Sequence, residues 1–276
     1  MPLPEVSFLC DGICAAFRGR QLKLPAAWPP AHGDLAQQFR AGEYAGSKPD
    51  TRCLFQTASV HHYHGAAARE LSGRLERYIL GISQALHHGL ELWLGKATIE
   101  GVVVNGACGI VAGGAVTGPA LAPLVMQCAP QGSVMELKYS HAVATALQQA
   151  WQEWSWGLQG ILSYPALALV SAPQAPPTAN TPVNLLQLQS DQEMLLAADA
   201  LGADILHRLT GGEGAYAPAL CYAIGAGIHN TWLELRQHTR VINVYASGPV
   251  PGFLPPSVPA APVVNGQASG LAGCFQ

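Results

Sequence analysis

Three long stretches of this chain contain no Asp, Glu, Lys or Arg. They run from Gly101 to Met135, from Trp154 to Ser190 and from Val241 to Gln276, and they are 35, 37 and 36 residues long. All 31 such charges, 14 basic and 17 acidic, therefore fall in the remaining residues. The uncharged runs are rich in Gly, Pro, Ala and Val. A backbone of this kind must bury its apolar atoms and satisfy its peptide groups somewhere, because its side chains offer little to water.

This pattern excludes several classes of protein. Apolar residues make up 49% of the 276, which rules out wholesale disorder. Charged residues make up only 11%, against about 25% in an ordinary domain. A net charge of −3 argues against binding nucleic acid through phosphate neutralisation. Seven scattered cysteines do not form a disulfide framework and fit reduced thiols. The opening MPLPEVSFLCDG has neither a basic region nor a long apolar core, so it reads as lacking a signal peptide. Synthesis in the cytoplasm is the expectation.

Apolar residues at helical spacing predict four amphipathic helices, over 66–95, 136–158, 190–210 and 216–238. Ser190 and Glu193 read as a capping box opening the third, and Gly211-Gly212 as its stop. Gly225 and Gly227 weaken the fourth unless a close neighbour needs the space. Residues 101–104 and 239–246 are β-branched enough for short strands. The expected fold is mainly α: four helices, long uncharged Pro/Gly-rich extended arms and a few short strands. Three units are expected: an irregular segment over 1–65 with a short helix near 33–42, a helical body over 66–246, and a C-terminal arm over 247–276.

Each uncharged run follows a helix that carries tryptophan. The order helix, tryptophan, Gly/Pro-rich run occurs three times, near 66–135, 136–190 and 191–276, and reads as a degenerate internal repeat. A single chain of this length has limited room to bury three such runs, so neighbouring subunits are expected to cover them. Trp93, Trp154 and Trp232 would anchor the arms, in the core or at subunit contacts. Pro249, Pro251, Pro255 and Pro256 would stiffen the tail that reaches across a neighbour.

No catalytic motif is present. There is no GxSxG elbow, no GK[ST] after a glycine-rich turn and no HExxH. Cys10, Cys14 and Cys53 with His61, His62 and His64 form a candidate zinc set, thiolates and imidazoles being its natural ligands. A polar turn with buried thiols is the simpler reading. Residues 102–126 are apolar and long enough to span a bilayer, but they hold five glycines and two prolines and lack flanking basic clusters. The functional expectation is a structural subunit of a large assembly: a filament, tube, virion or phage-tail-like or secretion-type particle. Its partners would be copies of itself and other subunits. A membrane-inserting protein and a metal-dependent enzyme are the alternatives.

Overall fold

The structure, a computed structural model, describes residues 3–20, 65–209 and 216–276. Helices and strands alternate in blocks. Helix α1 (Val6–Gly19) and the long α2 (Gly65–Lys96) lead into strands β1 (Thr98–Asn105), β2 (Cys108–Val111) and β3 (Val116–Thr117). Short α3 (Leu121–Met126) and α4 (Val134–Trp156) follow, then β4 (Gly160–Ser163), β5 (Gln174–Ala179) and β6 (Val183–Asn184). Helices α5 (Ala198–Arg208) and α6 (Ala217–His238) precede β7 (Arg240–Val241), β8 (Val244–Pro249) and β9 (Gly266–Gly270).

The expectation of a mainly α fold with free arms is overturned. The described residues form a mixed α/β fold with six α-helices and a seven-stranded antiparallel sheet of order β4-β2-β1-β9-β8-β5, with β3 beside β1. The four expected helices are present within a few residues, the third shortened to α5 behind a 3-10 turn at Glu193–Leu196. The strands overturn the class, and they come from the uncharged runs. The first run supplies β2, β3 and most of β1, the second β4 and β5, and the third β8 and β9. Extended segments that lack polar side chains satisfy their peptide groups by pairing with one another.

The threefold repeat does not survive as equivalent units. The first run folds as the β1–β2 hairpin and the third places β8 beside β9, but the second sends β4 and β5 to opposite edges of the sheet. Helix α1 also replaces part of the irregular segment expected over 1–65. Residues 33–42 and Gly211-Gly212 lie outside the described residues.

Small inward-facing residues hid the sheet from periodicity. Gly109, Ala175, Ala246, Gly248, Gly266, Ala268 and Gly270 all face inward, so apolar-polar alternation has little amplitude. Two of these glycines show why the side chains must be absent. A Cβ on Gly109 would sit 2.6 Å from the Tyr164 ring, and one on Gly266 would sit 2.7 Å from Val263. Tyr164 and Val263 belong to the Pro-rich connections, and both are buried. Those connections thus fold back over the inner face of their own sheet. Val170 pairs with Ala261 between them, and the Val263 amide donates to the Leu167 carbonyl at 3.1 Å.

Among the described residues most of the charges lie on the α-helices, which supply a separate part of the same core. Helix α4 starts at Ser133, whose Oγ accepts from the Glu136 amide at 3.1 Å. Ser190 caps as well, but its Oγ accepts from the Gln192 amide ahead of the 3-10 turn rather than opening the helix. Gly225 and Gly227 lie in α6 where neighbours press closest. A Cβ on Gly225 would meet the Ala198 carbonyl at 2.5 Å, and Leu9 and Ile13 of α1 pack against Gly227. Residues 102–126 form most of the first hairpin, β3 and α3. Among the described residues, no helix is long and apolar enough to cross a membrane.

Candidate functional site

The face of the sheet turned away from the covering connections is open. Its side chains are set by strand alternation and by one irregularity in β1. The register of β1 with β9 shifts between Ile99 and Val102, and Gly101 takes φ +72 there. Glu100 and Gly101 are both exposed, and Val103 then points outward while Val102 and Val104 point inward. The β1–β2 hairpin turns on Gly106 at φ +56, the first of two loop residues between Asn105 and Cys108.

These turns line up an apolar row. Val103 is paired with Ile110, and Ile110 with Ile161. The three are 47%, 53% and 60% exposed, where a solvated sheet face would carry polar side chains. Gln267 and Ser247 continue the row across β9 and β8. Ser163, Cys108 and Asn105 form the next row, and half-exposed Tyr245 stands opposite Ser269. Among all residues of the seven strands, Glu100 alone carries a charge. The β5 edge is blunted by Pro176 and Pro177, which offer no amide to an added strand.

Of the two places expected for the tryptophans, the core or a subunit contact, they occupy the core. Trp93, Trp154 and Trp232 are at most 4% exposed. They join Trp151 in a chain of edge-to-face contacts: Trp93 to Trp151 at 5.3 Å, Trp151 to Trp154 at 4.9 Å, Trp154 to Trp232 at 6.0 Å. Phe275 extends the chain beyond Trp93 at 6.2 Å, which ties the C-terminus to the helical core. Pro249 ends β8, and Pro251, Pro255 and Pro256 are exposed on the connection from β8 to β9. The segment 247–276 is therefore woven into the sheet through β8 and β9.

Of the candidate zinc ligands, Cys53, His61, His62 and His64 lie outside the described residues. Cys10 and Cys14 share a face of α1. Burial, reinforced by Cys10, pushes the Cys14 thiol up to about 11. Among the described residues, no group of three or more His, Cys, Asp or Glu is placed to hold a metal.

Sequence reasoning missed the outward row and had a signal for it. Gly106 between β-branched runs is a local hairpin signal, and the two-residue loop Gly106-Ala107 puts Val103 opposite Ile110 on one face, whereas a turn centred on Asn105-Gly106 would have set a different register. The pairing of Ile110 with Ile161 spans a helix and had no local signal. No family model, no curated protein and no solved structure matches this chain.

Proposed function

We propose that this chain is a structural subunit of a multi-copy assembly, and that it packs through the outer face of its sheet against another copy. The carrying observation is the exposed row Val103, Ile110 and Ile161 on a face with a single charge. Contiguous apolar surface of this kind is a mark of protein contact. Two such faces stacked as a sandwich bring no rows of like charge together. The prolines at the β5 edge direct contact to the face and away from lateral strand addition.

The magnitudes favour many weak contacts. Burying the exposed half of each of six side chains, three on either copy, contributes about 1 kcal/mol apiece, or about 6 kcal/mol in all. Association costs about 4 kcal/mol or more in lost freedom. One row therefore holds two copies weakly, and repetition through an assembly supplies the rest. The contact is on the sheet face rather than on the proline-rich segments.

Sedimentation velocity over a range of protein concentrations, with electron microscopy of the heaviest species, tests this. The natural chain should show mass above the 28.9 kDa monomer that rises with concentration. Ile110→Lys should return it to the monomer with unchanged circular dichroism. A natural chain that stays monomeric at every concentration sinks the proposal.

A further inference from the structure

A cleft of about 230 Å³ opens between the strand-to-helix connection after β3 and the last turns of α4, and none of its lining residues belongs to the Val103 row. Trp156 is the exposed aromatic on its apolar side, and the buried Trp93 and Trp151 close that wall with little surface of their own. Gln148, Gln152 and Ser155 line it on the polar side, at positions i, i+4 and i+7 of one helix, which places them in one stripe. None of its lining residues is charged.

The walls are built rather than incidental. Gly118 lets the backbone pass against the Trp93 indole, where a Cβ would stand 2.5 Å from Nε1. Gly114, at φ +85, does the same for Trp156, and its amide donates to the Trp156 carbonyl at 2.6 Å. Trp156 is thereby held in place although 61% of it is exposed. Gln148 is oriented as well, since its Oε1 accepts from the Ala122 amide at 3.0 Å. Its NH2 group and the whole Gln152 amide make no hydrogen bond among the described residues.

The geometry points to a binding site for one neutral pyranose ring. An indole face attracts the weakly positive C–H edge of a sugar ring through its quadrupole. Primary amides both donate and accept, which matches a hydroxyl. The absence of charge disfavours phosphates, carboxylates and amines, because nothing in the cleft compensates their desolvation. A purely aromatic guest would strip water from two amides and return no hydrogen bond. The volume is below the ~300 Å³ at which drug-sized sites begin, which suits a single ring. The site shares no lining residue with the row proposed for assembly, so it does not rest on that reading.

Saturation-transfer difference NMR on the full chain tests the site, with D-glucose, D-mannose, D-galactose and N-acetyl-D-glucosamine as probes and phenol as the aromatic control. At least one sugar should give a saturable signal. Trp156→Ala should weaken it about tenfold, the loss of one aromatic contact, and Gln152→Ala should weaken it too. Trp156 and Gln152 are exposed, and circular dichroism checks that both variants fold. Silence from all four sugars overturns the proposal. So does binding that Trp156→Ala leaves unchanged, or saturable binding of phenol alone.

Discussion

Asn180 and Val244 clasp each other through two hydrogen bonds. The Asn180 backbone amide donates to the Val244 carbonyl at 3.1 Å, and the Val244 amide donates to Asn180 Oδ1 at 3.0 Å. Asn180 Nδ2 also donates to the Val241 carbonyl at 3.0 Å. One buried side chain thus bridges the turn between β7 and β8, where Asn243 adopts φ +55, and locks it to the end of β5. Asn180→Ala leaves a buried N–H without its partner and removes a donor from Val241. The expected cost is about 2–4 kcal/mol, read by urea denaturation. A cost below the scatter of surface substitutions would mean that water replaces the side chain.

Helix glycines should split by their surroundings. Gly73 in α2 has open space where a Cβ would go, so Gly73→Ala should stabilise by up to about 1 kcal/mol through helix propensity. Gly225 has the Ala198 carbonyl and the Gly202 amide within 2.7 Å of that point. Gly225→Ala should therefore destabilise by about 1–3 kcal/mol despite the same gain in propensity. Melting temperatures of the two variants should move in opposite directions.

Arg236 and Glu193 make an asymmetric ion pair at 2.7 Å. The arginine side chain is 8% exposed and lies over the Trp232 ring at 4.8 Å, whereas the glutamate is 36% exposed. Glu193→Gln strands a buried cation, and Arg236→Met leaves a carboxylate that already reaches water. Glu193→Gln should be the more damaging of the two in chemical denaturation. The reverse order would place the energy in packing on Trp232.

Alkaline pH should weaken the fold. Burial pushes the Cys274 thiol from 9.0 up to about 11, and its Sγ contacts the Ala97 carbonyl at 3.7 Å. Above pH 9 the unfolded chain loses that proton first, so it binds fewer protons than the folded chain and stability falls as pH rises toward 11. Below pH 9 the contribution is present in full. Buried Tyr164, also shifted up, acts in the same sense at higher pH. Cys274→Ala should flatten the decline in melting temperature between pH 9 and 11. At pH 8, exposed Cys108 and Cys128 should react with a thiol reagent well before Cys274.

Four of the six helices, α2, α4, α5 and α6, were legible in local spacing, whereas α1 and the short α3 were not. Spacing of Ile79, Ile82, Leu86, Leu90 and Trp93 marks α2, because a helix exposes its burial pattern within a few turns of local chain. The sequence also located the uncharged runs and the need to bury them. What they bury against was a tertiary decision. The sheet joins β1 to β9 and β5 to β8 across intervals far longer than any local pattern, and its inward positions are glycines and alanines that leave no hydrophobic rhythm. Likewise Val103 and Ile110 were readable as a hairpin, but Ile161 joins their row only after α4 has returned the chain to the sheet. The tryptophans were legible as large aromatics on helices. Whether they face a partner or one another was set by how α2, α4 and α6 pack, since edge-to-face contacts between distant segments exist only once the core has closed.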